Sequence, residues 1–289
     1  MNNSANIWAL SRDYLGLTKP RTLLLHIPVV AAALVLATGA FKFSPMLVSV
    51  IFGGGMLSAS ANTLNCFFDR DIDATMPRTK NRPIPAKRLA AADAFRFGSI
   101  LGISGFTLLL FYAGVQAAIL ALAGFFFYVV VYTLWLKRKT FYSSILGSLA
   151  GAMPPVVAWA ALTGSVTSVP VILGTIIVLW TPPHYWALAL YRRNEYERSG
   201  ILSLPSSHLK LWLMAFSCAL MVATVIFGFV AQLSIIYYSI VLTAGLILVF
   251  LVIRATKNVP GRAQLVLFGY SIFYLVLVFS AVVLDRLIS

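Results

Sequence analysis

Nine separate stretches of this chain are apolar for about the twenty residues that a helix needs to cross a bilayer. They fall at roughly 22–40, 45–67, 97–114, 116–136, 142–162, 168–190, 211–231, 234–253 and 264–284. Runs of this length are helices rather than strands, because a spanning strand needs only about half as many residues. The expected fold is all-α: one polytopic membrane domain over residues 1–289, with residues 1–21 as an interfacial N-terminal segment. Composition excludes the soluble alternative. Hydrophobic residues make up 60% of the chain and charged residues 10%, with a mean hydropathy of +0.91. No soluble domain buries that much apolar surface.

The net charge of +14 would point to nucleic acid in a soluble protein. Here the bases sit in short loops between apolar runs, and no basic–aromatic surface module is present, so nucleic acid is excluded as a partner. Twenty of the 22 bases fall on one side of the nine-span topology, leaving only Lys42 and Arg286 on the other. The positive-inside rule then places the N-terminus in the cytoplasm and the C-terminus outside. The two cysteines, Cys66 and Cys218, have neither metal-type spacing nor a disulfide framework.

Against this apolar background the acids stand out. There are eight, and three of them, Asp69, Asp71 and Asp73, fall within five positions after the second span. Asn65, Asp69 and Asp73 are spaced i, i+4, i+8, which stacks them along one helical face. Three oxygen-bearing side chains on one face suit a hard divalent cation, Mg²⁺ above all. Arg78, Lys80 and Arg82 follow closely. Acids and bases at this spacing point to a cation bridging carboxylates to a diphosphate, with basic side chains on the remaining oxygens. The competing structural reading is a solvated loop closing a membrane helix. The regular spacing in so acid-poor a chain favours the site.

A second long loop follows the sixth span on the same side. It begins Thr181-Pro182-Pro183-His184-Tyr185-Trp186 and runs on to Arg192, Glu195 and Glu197. The two prolines are expected to break or kink the span before its end. Glu195 and Glu197 are two apart and cannot share a helical face, so either Glu195 alone is the second metal candidate or the loop is not helical. Lys137 and Arg138, closing the fourth span, are topology anchors and candidate phosphate ligands. Gly53-Gly54-Gly55 on the second span and the Gly147/Gly151 pair on the fifth mark close helix packing.

With both loops in view, Asn65-x₃-Asp69-x₃-Asp73 resembles the first aspartate motif of the UbiA-type intramembrane prenyltransferases. Three segments narrow the resemblance to the protoheme IX farnesyltransferase (haem O synthase) family: Asp69–Pro83, Leu136–Arg138 with Gly147–Pro155, and Pro182–Leu190. The resemblance covers almost the whole chain. It implies nine helices around a central cavity, capped by the two cytoplasmic loops, in a bacterial cell membrane. It implies farnesyl diphosphate and haem B as substrates and haem O as product, passed on to haem A synthase or a haem–copper oxidase assembly. It further implies Mg²⁺ held by Asn65, Asp69, Asp73 and Glu195, and a catalytic role for Arg82 beside the three motif residues. Arg78, Lys80, Lys137, Arg138 and Arg192 would bind diphosphate. Glu195 stands where that family more often has Asp, and Leu202 where it has Pro.

The chemistry fits the residue types independently. An allylic diphosphate ionises when the charge of its leaving group is stabilised, and the resulting cation must be shielded from water. An apolar cavity lined by aromatic rings supplies the shielding. Of three histidines, His184 is best placed to hold a haem iron, while His26 lies in an apolar run and His208 in a loop. Two rivals remain. One is a sister prenyltransferase with an aromatic, quinone-precursor acceptor. The other is a transporter, which would carry its charged residues nearer the midplane.

Overall fold

The computed structural model describes residues 3–40, 44–201, 208–257 and 261–288. Lys42, Leu202, Leu204 and Pro205 lie outside the described residues. Every regular element among those described is a helix, and nine helical segments are long and apolar enough to span a membrane. The spans run Pro20–Thr38, Pro45–Phe68, Ala91–Tyr112, Val115–Leu136, Ser143–Thr163, Ser168–Tyr191, Leu209–Val230, Ile235–Lys257 and Arg262–Ile288. The third begins six residues earlier than its apolar run. Asp93 and Arg96 sit in its first turns, where a helix continues past the hydrocarbon into water.

Prolines decide where several spans are interrupted. The first span is two helices, α2 (Pro20–Leu24) and α3 (His26–Thr38), because Pro28 has no N–H to offer the Leu24 carbonyl. Pro154 and Pro155 likewise divide the fifth span into α8 (Ser143–Gly151) and α9 (Met153–Thr163). The sixth span behaves otherwise. Helix α10 (Ser168–Tyr191) runs through Pro182 and Pro183 without a break, so of the expected break or kink the break is corrected. Both prolines are buried among neighbouring helices, and packing there holds the helical path despite two missing donors.

Ahead of the spans, α1 (Asn3–Thr18) lies as a surface helix. It presents Ile7, Trp8 and Leu15 outward and turns Asp13 and Leu17 inward. Arg88 donates to both Asp13 carboxylate oxygens, at 2.9 and 3.1 Å. Leu17 packs with Cys66, Ile84, Leu89 and Ala94. The chain between α1 and α2 turns at Lys19, which holds a left-handed φ of 53°.

The second span, α4 (Pro45–Phe68), starts on Ser44, whose Oγ accepts from Leu47 N at 3.1 Å. It packs tightly on α6 (Ala91–Tyr112). A Cβ on Gly105 would fall 2.7 Å from the Gly53 carbonyl and 2.8 Å from Leu57 N, so this crossing requires glycine. After α7 (Val115–Phe126) the fourth span finishes as a π-helix, Phe127–Leu136. Beyond α10 come a short α11 (Arg193–Arg198), α12 (Leu209–Val230), α13 (Ile235–Lys257) and α14 (Arg262–Ile288). At the end of the bundle away from the acidic loops, Asp285 accepts from the backbone N–H groups of Ser234 and Tyr237 and so caps α13.

Candidate active site

The site is built where α4 meets the short helix α5 (Arg70–Thr75). Asp69 departs from helical geometry at this junction, with φ −89° and ψ 6°. The hydrogen-bond ladder nevertheless continues across it: Asp69 N reaches Asn65 O at 2.9 Å and Asp73 N reaches Asp69 O at 2.8 Å. That continuity keeps Asn65, Asp69 and Asp73 on one side, and all three are buried. Asp71 points away, its side chain 60% exposed.

Each buried acid meets a cation. Lys137 pairs with Asp69 Oδ2, and Arg82 Nη1 lies 2.6 Å from Asp73 Oδ2. Asn65 is held at three points. Its Nδ2 donates to Asp69 Oδ2 at 2.7 Å and to Thr133 Oγ1 at 3.0 Å, and its Oδ1 accepts from Lys19 Nζ at 2.7 Å. The π-helix explains the reach of the fourth span. Lys137 N bonds to Tyr132 O, five residues back, so the wide coil carries Thr133 and Lys137 to the acids. Tyr128 and Tyr132 stack at 5.5 Å in the same coil, and Lys137 Nζ lies 6.0 Å from the Tyr132 ring.

The electrostatics follow from burial and pairing. Burial lowers the Lys19 ammonium to about 8, against the attraction of neighbouring acidic groups. Burial also opposes the charge on Lys137, but Tyr132 and Asp69 outweigh it and raise this lysine above its ordinary range. Arg82 is raised in the same way, burial being overcome by Asp73. At the exposed rim, the hydrogen bond from Arg138 pulls the Asp71 carboxyl below its usual value.

The second loop packs on the first. Ile72 and Met76 form a cluster with Ala189, Tyr196 and Ile201, and Tyr185 meets Tyr196 edge-on at 5.9 Å. Glu195 and Glu197 diverge as their spacing requires. Glu195 bonds to Arg192 at 2.7 Å and is partly buried, whereas Glu197 pairs with Arg193 in water. Among the described residues no three His, Cys, Asp or Glu side chains gather into a metal-holding group, so Glu195 is not joined with Asp69 and Asp73 in one cluster. Two atoms still fit a hard cation: Asp69 Oδ1 and Glu195 Oε2 are buried without a hydrogen-bond partner.

The remaining sequence candidates divide. Arg138 makes a two-pronged bond to Asp71, 2.7 Å on each arm, and so holds α5 against the fourth span. Arg78 and Lys80 are exposed on the loop. His184 lies between Trp180 and Phe268, with ring centroids 4.4 and 4.5 Å away, and its Nδ1 is 2.7 Å from Ser271 Oγ. This contact ties the ring to the neighbouring helix α14. Lys19 and Thr133 are site residues that sequence reasoning missed. A cleft of about 460 Å³ lined by Ser44, Pro45, Val48, Ser49, Leu108 and Tyr112 opens at the opposite end of α4, and none of these described residues is charged.

This architecture matches that of known membrane enzymes. A solved structure of digeranylgeranylglyceryl phosphate synthase superposes with a TM-score of 0.79 over 96% of this chain and 99% of that one, at 16% identity. A UbiA homologue from Archaeoglobus fulgidus, solved with GPP and Mg²⁺ bound, gives 0.66 over 93% and 99%, at 15% identity. The chain belongs to the UbiA prenyltransferase family, matched over residues 25–278. It is 39% identical to the protoheme IX farnesyltransferase of Parvibaculum lavamentivorans, across 96% of this chain and 90% of that protein. The protein of the same name from Roseiflexus castenholzii is longer. It is 35% identical over 96% of this chain, which spans 53% of its length.

Proposed function

We propose that the chain transfers the farnesyl group of farnesyl diphosphate to a vinyl group of haem B, giving haem O and diphosphate. The observation that carries this reading is the convergence of Lys19, Lys137 and Arg82 on Asn65, Asp69 and Asp73 inside an otherwise apolar bundle. Alternating buried cations and acids suit a ligand that is itself a polyanion with a counter-ion. The family relation supports a prenyl diphosphate donor, and the names of the protoheme relatives support a haem acceptor.

Asn65, Asp69 and Asp73 would hold Mg²⁺ through oxygen donors, and Glu195 offers a further unpaired oxygen from the second loop. Bound there, the ion neutralises negative charge that develops on the departing diphosphate. Lys19, Lys137 and Arg82 bind diphosphate oxygens, and Arg78, Lys80 and Arg192 extend the clamp to the loops. Tyr128 and Tyr132 border the site with aromatic faces, which favour a cation and exclude water. The C1–O bond of the donor breaks, the vinyl carbon bonds to farnesyl C1, and water adds to the resulting haem cation with loss of a proton. His184 would hold the iron through Nε2, since Nδ1 is engaged by Ser271.

The test is the pigment formed when the purified protein is given haem B, farnesyl diphosphate and Mg²⁺. A mass gain matching hydroxyethylfarnesyl supports the reading. Unchanged haem, with farnesylation of an aromatic quinone precursor supplied in parallel, would assign the chain to the sister activity. For His184, a folded His184→Ala variant should lose or shift the haem absorbance while still binding farnesyl diphosphate. An unaltered spectrum removes the ligand role.

A further inference from the structure

On the outer surface of the bundle, at the same end as the acids, α13 and α14 leave a cleft of about 290 Å³. Its lining is Leu251 and Arg254 from α13, and Arg262, Ala263 and Val266 from α14. The two walls are ordered alike. Leu251 lies one turn deeper along α13 than Arg254, and Val266 one turn deeper along α14 than Arg262. Both arginines therefore stand at the level where the helices emerge, above an apolar floor that faces lipid.

The charge at the mouth is of one sign. Among the described residues no carboxylate lines the cleft, and the last turn of α13 carries Lys257 as well as Arg254. Helix α14 starts on Arg262 with no acid in its first turn. A helix N-terminus is already a partial positive charge, so a base there reinforces the field where an acid would balance it. The walls are also fixed relative to each other. Gln264, 1% exposed, accepts from Gly261 N and donates to Ala255 O, both at 2.6 Å. This strut ties the start of one helix to the end of the other.

We propose that this cleft binds an anionic glycerophospholipid, its phosphate between Arg254 and Arg262 and an acyl chain along Leu251 and Val266. A zwitterionic lipid gains less, because its ammonium finds no acid among the lining residues. A soluble anion gains the arginines but not the floor. The site lies apart from Asp69 and Asp73, so it stands independently of the reaction proposed above.

The experiment is native mass spectrometry of the full-length protein released from detergent containing equal amounts of phosphatidylglycerol and phosphatidylcholine. Wild type should retain phosphatidylglycerol preferentially, by about thirtyfold, the effect expected of two basic groups beside a membrane anion. Arg254→Gln/Arg262→Gln should bring the two lipids to parity. Both positions are exposed, so the variant should keep its helical circular dichroism. Val266→Ser should weaken retention without erasing the preference. Inorganic phosphate added in excess should not displace the lipid. Equal retention by wild type, or an unchanged preference in the double variant, overturns the proposal. Displacement by inorganic phosphate would instead mark a simple anion site and overturn the lipid assignment.

Discussion

Three partly buried cations, from distant parts of the chain, gather on one acidic face. Lys137 pairs with Asp69 and Arg82 with Asp73, while Lys19 adds a third cation at the neutral Asn65, so the carboxylates are charge-compensated as they stand. Asp69→Asn and Asp73→Asn should each abolish turnover, because each removes a carboxylate and strands a buried cation. Asp71→Asn should cost much less, since it only loosens an exposed pair with Arg138. Equal losses at all three positions, measured as kcat/KM in folded protein, would refute the one-face geometry. Lys19 gives a pH test. Burial disfavours its charged form, so the folded protein releases that proton near pH 8, while the unfolded chain keeps it to about 10.5. Between those values the unfolded state binds more protons, and stability rises with pH. The Tm of wild type relative to Lys19→Met should therefore climb across this window. A flat difference would show that Lys19 is not buried as described.

At the scale of elements, the π-helix matters most to the chemistry. Its wide coil delivers Thr133, which accepts from Asn65 Nδ2 and donates to Tyr128 O. Thr133→Val should lower kcat/KM about tenfold through the lost acceptor, with membrane insertion unchanged. Full activity in that variant would make the contact incidental. This element also marks the limit of what sequence reveals. Asn65, Asp69 and Asp73 were legible because the α-helical repeat converts spacing directly into a shared face. Thr133 was not, because residues 127–136 carry the same apolar pattern in α or π register. Lys19 was hidden for a different reason: its placement depends on α1 docking through Asp13 and Leu17 and on a left-handed turn. Proline alone does not decide where a span breaks. Pro28 and Pro154 do interrupt their helices, whereas Pro182 and Pro183 are carried by the packing around α10.

For the whole molecule, hydropathy was enough to find the nine candidate spans of the described residues, and loop charge predicts their direction. An odd number of spans places Lys80 and Ile288 on opposite faces. Cysteines introduced at the two positions should be labelled from opposite sides by an impermeant reagent, with Lys80 on the cytoplasmic side. Labelling of both from one side would require a different topology. The charge-compensated acids predict a response to chelation as well. Because Lys137, Lys19 and Arg82 already serve them, EDTA should stop turnover and leave the Tm unchanged. A large fall in Tm would mean that the fold itself needs a metal.

The same arrangement sets terms for any inhibitor aimed at the site. An anionic mimic of the donor that arrives without its own metal must draw Lys137 away from Asp69 and leave that carboxylate buried and bare, at about 3–5 kcal/mol. A cationic compound faces two resident ammonium groups already in place. The favourable design is electrically self-sufficient: a head that brings anion and counter-ion together and exchanges partners with the lysines in one event.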